Sequence, residues 1–496
     1  MRFISTRDSL ARAVSSAYAI VHGLAADRGL YVPQYFPAYF PNDLAHKGYC
    51  ELAREIFGLY LTDFSRVELD ALVRAAYGDG AFPRVAAPCL RVGSFALLEL
   101  FHGPTCAFKD MALAVLPHLL TLSTVKIGRD GENVILVATS GDTGKAAQEG
   151  FAAVTGCRVI VFYPADGVSE IQEQQMLTGN AANTAAIAVR GNFDDCQRGV
   201  KDILADTAMI KRLSNAQMSF SSANSINFGR LLPQIVYYYY AYGQLLGKGF
   251  LKLGQEIDIT VPTGNFGNIL AAYYGKRMGL PVRRLVCASN ENDVLAEAIS
   301  QGIYNSCRPF YKTASPSMDI LVSSNFERFL FEMYERSAPD LSAAFLQFTK
   351  TGSLRIAESA KQNWRGLLYG GSVTQEAAAC VMREVQEKHN YLLDPHSAVG
   401  WGLASSYYDE AEGVPMLLVA TASPFKFPGA VLGALGVSCV GLSGQAQLKL
   451  LAQRTGASIP PPLAALAGQS LCKRVEIKPS EMKQAVLEML GIDVYQ

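Results

Sequence analysis

The stretch Leu98–Met111, LELFHGPTCAFKDM, places one lysine, Lys109, between Phe108 and Asp110 at the start of an apolar helical segment. A lysine amine is a poor nucleophile while it is protonated, but burial disfavours the charged form and lowers the pKa. Such an amine can hold an aldehyde as a Schiff base. The alternative is a surface lysine that extends from a helix start towards solvent. These residues alone leave both interpretations open.

The composition narrows the classes of partner. The chain has 496 residues, 50% hydrophobic and 18% charged, which suffices for large cores in several structural units. Its 44 basic and 44 acidic residues balance, so nothing steers the whole chain towards nucleic acid or an anionic membrane. We therefore predict a small-molecule substrate, no nucleic acid and no membrane partner.

The first residues, MRFISTRDSLARAV, lack the apolar core of a secretory signal, which predicts a cytoplasmic location. The 10 cysteines form no C-x-x-C pair, and no histidine stands at zinc-ligand spacing, so no metal site is predicted. Cys106 lies near Lys109 and is an alternative nucleophile, although the sequence places no histidine beside it.

Short apolar runs alternate with helical ones after Pro88, the pattern of strand and helix units around a parallel sheet. Their continuous apolarity favours sheets covered on both faces. The candidate strands are residues 133–140, 158–164, 185–189, 257–262, 284–289 and 416–421. We expect an α/β fold with these parts: a mostly helical domain over 1–86, a lobe with the lysine over 87–255, a second lobe over 256–435 and a C-terminal extension over 436–496.

Two glycine-containing turns each follow a predicted strand and open a helix. In VATSGDTGK, Ser140, Asp142 and Thr143 can cap the helix, and the glycines let backbone amides approach a ligand. The alternative is an ordinary capped turn. In TVPTGNFGNIL, the turn at Gly264, Asn265, Phe266, Gly267 and Asn268 presents free N–H groups suited to a phosphate. This second turn lacks the spacing of nucleotide-binding loops, so the phosphate should not belong to ATP or NAD.

Pyridoxal 5'-phosphate unites these features, because it needs a lysine for its aldehyde, a phosphate cup and a partner for its ring nitrogen. Thr421, at the end of a predicted strand, is the candidate partner. A hydroxyl there would leave the ring nitrogen largely unprotonated, whereas a carboxylate would strengthen the electron sink.

Taken together, the motifs resemble those of threonine synthases of the bacterial and fungal kind, which are fold-type-II pyridoxal phosphate enzymes with a tryptophan synthase β-like fold. The matching segments, in the family's order, are DRGLYVP, ELFHGPTCAFKD, ATSGDTGKAA, SSANSINFGRLLPQIVYYY, PTGNFGNILAAY, DPHSAVGW and TASPFKF. The resemblance implies two parallel-sheet lobes with an N-terminal helical domain.

The resemblance also implies roles for individual residues. Lys109 would form the Schiff base, the turn from Gly264 to Asn268 would hold the cofactor phosphate, Asp142 would contact the ring and Thr421 its nitrogen. For the substrate, we nominate Ser140 and Thr143 for the carboxylate. For the substrate phosphate we nominate Asn224, Ser225, Asn227 and Arg230, whose guanidinium matches phosphate geometry. Arg230 could instead form a salt bridge beneath the helix that follows it.

The implied reaction is a lyase reaction of threonine biosynthesis that converts O-phospho-L-homoserine and water into L-threonine and phosphate. Lys109 would remove the α-hydrogen and help to remove a β-hydrogen; phosphate would leave the γ-carbon and water would add at the β-carbon. Two alternatives stay open: a related phospho-lyase that releases a 2-oxo acid and ammonia, and a non-catalytic binding protein with the same fold. We expect a monomer or a homodimer.

Three positions depart from or qualify the family pattern. Ser423 in TASPFKF stands where the family often has a histidine, which affects proton handling or substrate fit near the ring. Pro117 should kink or end the helix that follows Lys109. His396 in DPHSAVGW matches a family histidine, with a structural and a catalytic role both open.

Overall fold

Two parallel β-sheets form the framework of the computed structural model, which describes residues 1–78, 80, 82, 86–178, 181–409 and 412–493. The strands are β1 (Phe3–Ser5), β2 (Tyr31–Pro33), β3 (Cys89–Val92), β4 (Phe95–Glu99), β5 (Glu132–Ala138), β6 (Cys157–Pro164), β7 (Thr184–Val189), β8 (Met218–Ser221), β9 (Ile257–Pro262), β10 (Val282–Ser289), β11 (Ile303–Asn305), β12 (Ser353–Arg355), β13 (Leu368–Ser372), β14 (Met416–Ala420) and β15 (Val475–Ile477).

Helices cover both faces of these sheets. They are α1 (Ser16–His22), α2 (Tyr49–Tyr60), α3 (Arg66–Tyr77), α4 (Asp110–Leu113), α5 (Leu116–Lys126), α6 (Asp142–Phe151), α7 (Glu170–Leu177), α8 (Phe193–Ala205), α9 (Thr207–Asn215), α10 (Phe228–Gly247), α11 (Gly267–Met278), α12 (Val294–Gln301), α13 (Phe326–Met333), α14 (Ala338–Thr351), α15 (Glu358–Trp364), α16 (Gln375–His389), α17 (Pro395–Tyr407), α18 (Pro428–Ala434), α19 (Gly444–Thr455), α20 (Pro461–Ala464) and α21 (Met482–Leu490).

The larger sheet has 6 strands in the order β13-β10-β9-β14-β4-β3. All of its neighbouring pairs are parallel except the β3–β4 hairpin. Because β9, β14 and β4 are adjacent and parallel, the loops that follow them emerge at one edge of the sheet. These loops contain the glycine turn at 264, Thr421 and Lys109.

The smaller sheet has 5 parallel strands in the order β15-β7-β6-β5-β8. The two sheets do not follow the expected lobes over 87–255 and 256–435. Strands β3 and β4, expected in the first lobe, pair into the larger sheet, and β15 from the expected C-terminal extension pairs with β7. The chain therefore crosses between the sheets, and residues 87–255 do not form one lobe.

Local patterns located the long apolar strands correctly. Each of the 6 candidate strands is a strand, and helices α1, α2 and α3 lie in the segment 1–86 expected to be mostly helical. Pro117 behaves as expected, since α4 ends at Leu113 and Pro117 lies in the first turn of α5.

One hydrophobic core joins the N-terminal segment to both sheets. Helix α1 packs against α5, and α2 packs against the long helix α10. Tyr237, Tyr238 and Tyr239 of α10 are fully buried in this core. None of the helices in the described ranges combines the length and the apolarity needed to cross a bilayer.

Arg328 connects the N-terminal segment to the loop between β8 and α10. Its fully buried guanidinium donates to the carbonyl of Tyr31 at 3.0 Å, the carbonyl of Ile226 at 2.6 Å and Asn325 Oδ1 at 2.6 Å. Three otherwise distant segments therefore depend on one side chain.

We predict that Arg328→Met lowers the free energy of unfolding by about 3 kcal/mol, because three buried acceptors lose their donor. Thermal denaturation followed by circular dichroism should show a midpoint several degrees lower than that of the parent chain. The control is Arg12→Met, which removes an exposed ion pair with Asp8 and should leave the midpoint nearly unchanged. Equal midpoints for the two variants would contradict the stabilising role of Arg328.

Candidate active site

The loop after β4 places Lys109 by pairing along the segment that follows β14. Phe108 N–H donates to the carbonyl of Thr421 at 2.8 Å, and Ser423 N–H donates to the carbonyl of Cys106 at 3.0 Å. Asp110 closes the loop by accepting from the backbone N–H of Thr105 at 2.8 Å. These contacts fix the lysine at the first turn of α4.

Lys109 is buried, with 8% of its surface exposed, which rules out the surface interpretation. Its Nζ donates to Ser317 Oγ at 3.0 Å and lies 3.5 Å from Asp142 Oδ2. Burial lowers the pKa of Lys109; Asp142 opposes this shift, while the cations of Lys426 and Arg230 add to it. The amine is therefore neutral more often than an ordinary lysine amine, as a nucleophile requires.

Asp142, at the start of α6, is the carboxylate of the site. Burial alone would raise the pKa of Asp142, but the ammonium groups of Lys426 and Lys109 outweigh it and hold that pKa well below the usual range. Lys426 Nζ lies 3.0 Å from Asp142 Oδ1, and Gln172 Nε2 donates to the same oxygen at 3.0 Å. The carboxylate is thus ionised and held in place. Sequence reasoning assigned no role to Lys426 or Gln172.

The cap of α6 differs from the prediction. The N-cap residue is Gly141, with φ of 129°, and it makes no side-chain cap. Thr139 Oγ1 instead accepts from the N–H groups of Gly141 and Gly144, each at 3.0 Å. Ser140 and Thr143 are half-buried beside this turn, and they are not needed to cap it.

The turn after β9 opens helix α11 in an unusual backbone conformation. Phe266 has φ of 60° and precedes the first helical residue, Gly267. Tyr238 OH donates to Asn268 Oδ1, while the buried Asn268 Nδ2 has no hydrogen-bond partner among the described residues. A buried donor without a partner at a helix start is what an anion site requires.

Residues 313–325, which sequence reasoning did not select, join this turn to the lysine. A Cβ added to Gly264 would lie 2.3 Å from the carbonyl oxygen of Ser317, the same residue whose hydroxyl contacts Lys109. Ser323 Oγ donates to the carbonyl of Gly264 at 2.7 Å, and Asn325 Nδ2 donates to the carbonyl of Asn265 at 3.0 Å. The turn and the amine therefore both contact Ser317, which lies between them.

Among the residues predicted to bind the substrate phosphate, Arg230 has a buried donor that can still bind a ligand. Arg230 is buried, its Nη1 donates to the carbonyl of Ala223 at 2.7 Å, and its Nε has no partner among the described residues. Burial lowers the pKa of Arg230 to about 10. In the described ranges no carboxylate forms an ion pair with Arg230, so the salt-bridge alternative is wrong.

The predicted role of Asn227 in binding the substrate phosphate is wrong, because both polar atoms of its amide make hydrogen bonds within the fold. Its Oδ1 caps α10 by accepting from Gly229 N–H, and its Nδ2 donates to the carbonyls of Ile20 and Ser222. We no longer assign it to the substrate. Asn224 is exposed, and Ser225 Oγ lies 3.2 Å from Ser324 Oγ near the glycine turn.

His396 contacts Ser317, the residue that lies between Lys109 and the glycine turn. Its Nδ1 lies 2.7 Å from Asp394 Oδ1, and its Nε2 accepts from the backbone N–H of Ser317 at 3.3 Å. These partners favour a structural role. Thr421 is buried at the end of β14, next to the loop of Lys109, and Ser423 caps a short turn by accepting from Phe425 N–H.

The alternative nucleophile, Cys106, does not suit that role. Burial raises the pKa of the Cys106 thiol to about 12, so the reactive thiolate is scarce at neutral pH. The lysine remains the candidate nucleophile of this pocket.

Three family models match successive parts of the chain. Residues 2–77 match "Threonine synthase N terminus", residues 76–414 match "Pyridoxal-phosphate dependent enzyme", and residues 397–486 match "Threonine synthase, C-terminal".

Known proteins resemble the chain along most of its length. It is 38% identical over 438 residues to a threonine synthase of Pseudomonas aeruginosa, covering 87% of this chain and 90% of that protein. It is 36% identical to mouse threonine synthase-like 1. That alignment covers 90% of this chain and 61% of the mouse protein, so the chain spans less than two thirds of the length of that relative. The crystal structure of pyridoxal phosphate-bound threonine synthase from Brucella melitensis matches with a TM-score of 0.86, at 34% identity over 99% of both chains.

We predict that Gly264→Ala disrupts the pocket while Gly267→Ala does not. A Cβ at position 264 would collide with the Ser317 carbonyl at 2.3 Å, whereas at position 267 the nearest atom would be 3.5 Å away. Thermal denaturation should therefore show a lower midpoint for Gly264→Ala alone. Matching midpoints for both variants would contradict the packing of Ser317 on the turn.

Proposed function

The chain belongs to the threonine synthase family of pyridoxal-phosphate-dependent enzymes, and we propose on that premise that it converts O-phospho-L-homoserine and water into L-threonine and phosphate. The observation that carries the proposal is the buried amine of Lys109, which shares Ser317 as a neighbour with the glycine turn at 264. A nucleophile and an anion site on one small pocket match a phosphorylated aldehyde cofactor.

The residues of the pocket fit pyridoxal phosphate. The lowered pKa of Lys109 suits an amine that joins to an aldehyde. The unpartnered Nδ2 of Asn268 and the backbone from Gly264 to Gly267 would hold the phosphate. Asp142 would contact the ring and Thr421 would face the ring nitrogen.

When bound, the cofactor would supply an electron sink that acidifies the hydrogen on the α-carbon of the substrate and then those on the β-carbon. The chain's own residues handle the protons. Lys109 Nζ would accept a proton from the α-carbon and help to remove one from the β-carbon, so that phosphate can leave the γ-carbon and water can add at the β-carbon. Ser317 Oγ and Asp142 Oδ2, at 3.0 Å and 3.5 Å from Nζ, hold the amine in position between these transfers.

The substrate's two anionic groups need separate partners. Arg230 has a buried charge and an unpartnered Nε, and Asn224 and Ser225 lie just before its helix, so we assign these three to the substrate phosphate. Ser140 and Thr143, at the start of α6, are assigned to the carboxylate, where the helix dipole favours negative charge.

The proposal also covers the cellular setting. A phosphorylated amino acid is charged and crosses membranes poorly, so enzyme and substrate should share a compartment, which we take to be the cytoplasm. We propose a monomer or a homodimer as the working form.

We predict that the cofactor-loaded protein releases phosphate from O-phospho-L-homoserine and that Lys109→Ala lowers this rate by at least about a thousandfold, because the proton carrier is lost. The amino-acid product should be threonine by chromatography. A 2-oxo acid and ammonia as main products would favour the phospho-lyase alternative. Absence of phosphate release by the parent protein would contradict the proposal.

A second prediction concerns Arg230. Arg230→Met should raise the KM for O-phospho-L-homoserine by about tenfold or more, because a buried phosphate partner is worth at least about 1.4 kcal/mol. Uptake of pyridoxal phosphate, followed by its absorbance, should stay close to that of the parent protein. If the variant binds pyridoxal phosphate more weakly, while its KM for O-phospho-L-homoserine at saturating cofactor is unchanged, Arg230 serves the cofactor phosphate instead.

A further inference from the structure

A second lysine, Lys426, is buried beside the first. None of its side chain is exposed, and its Nζ donates to the carbonyl of Thr105 at 2.7 Å and lies 3.0 Å from Asp142 Oδ1. Both partners belong to the protein interior, so this ammonium is held by buried groups of the chain itself. A buried charge of this kind is costly unless it is paired, and here the pair is Asp142.

Asp142 divides its two oxygens between two lysines. Oδ1 is taken by Lys426 and Gln172, whereas Oδ2 lies 3.4 Å from Ser317 Oγ and 3.5 Å from Lys109 Nζ. The shorter ion pair is the one with Lys426. Lys109 therefore faces a carboxylate whose negative charge is already largely balanced.

We propose that Lys426 is a positioning residue that neutralises Asp142, so that the carboxylate orients the amine of Lys109 without trapping it as an ammonium. This inference rests on the proposed function, in which Lys109 reacts with the cofactor aldehyde. It assigns a role to a side chain that touches neither cofactor nor substrate in that proposal.

The charges around Lys109 support this account. Without Lys426, Asp142 would have Lys109 as its nearest cation, and an opposite charge at that range favours the protonated amine. Removing the positive charge of Lys426 also removes a direct repulsion on Lys109, which shifts the equilibrium in the same direction. The other charged or titratable groups near the pair are Arg230, His396, Asp110 and Cys106. The charge of Lys426 also lowers the pKa of Asp110 and of Cys106, and Lys426→Met removes that influence as well.

The test measures the rate at which the cofactor-free protein takes up pyridoxal phosphate, followed by absorbance between about pH 6 and pH 10. A neutral amine attacks the aldehyde, so the rate rises with pH and levels off above the pKa of Lys109. In Lys426→Met we expect the midpoint to move up by about one pH unit, which slows uptake about tenfold near neutral pH. Uptake should recover at high pH.

The double variant Asp142→Asn/Lys426→Met makes the test specific. It removes both charges while keeping an amide that can bond to Gln172 and Ser317, so we expect the pH midpoint of uptake to return close to that of the parent, while the plateau rate is lower because Asp142 no longer contacts the ring. Lys426→Arg should also stay close, because it keeps the charge. Lys47→Met is the matched control: it removes a lysine paired with Glu51 and Glu55 away from the pocket.

Three results would overturn the inference. The first is an unchanged midpoint in Lys426→Met. The second is an equal upward shift in the single and double variants. If Lys426→Met does not fold, the double variant decides, because two charges that cancel each other should be removable together. The third result that would overturn the inference is a double variant that also fails to fold. A parent protein that takes up no cofactor would instead sink the proposed function.

Discussion

Desolvation of the Lys109 amine is the constraint on which the site depends. Burial lowers the pKa of Lys109, but a buried amine must also be held in one place, and the groups that hold it must not protonate it permanently. Ser317 and Asp142 supply the hydrogen-bonding contacts, while Lys426 balances the charge of Asp142. The surrounding loops and sheets hold Lys109, Ser317, Asp142 and Lys426 in the positions that these interactions require.

The fold meets that constraint by bringing strand ends together. Strands β4, β14 and β9 are parallel neighbours, so the lysine loop, Thr421 and the phosphate turn emerge at one edge of the larger sheet. The smaller sheet contributes Asp142 from the turn after β5. Neither sheet contains the whole pocket, which explains why the chain crosses between them and why linear domain boundaries describe it poorly.

The sequence was informative where chemistry is local. A lysine before an apolar helix, or glycines between a buried strand and a helix, can be recognised from neighbours in the chain. Ser317 and Lys426 could not be found in this way, because their partners Lys109 and Asp142 lie far away in sequence. Sheet order posed the same difficulty: nothing local marks residues 475–477 as the neighbour of β7. Such contacts depend on how the sheets assemble.

The most direct measurement is to reduce the cofactor-loaded protein with borohydride and map the labelled peptide by mass spectrometry. This reaction fixes the cofactor to the amine that holds it. Our account predicts a phosphopyridoxyl group on Lys109. A label on the neighbouring Lys426, or a protein without label, would contradict the central claim.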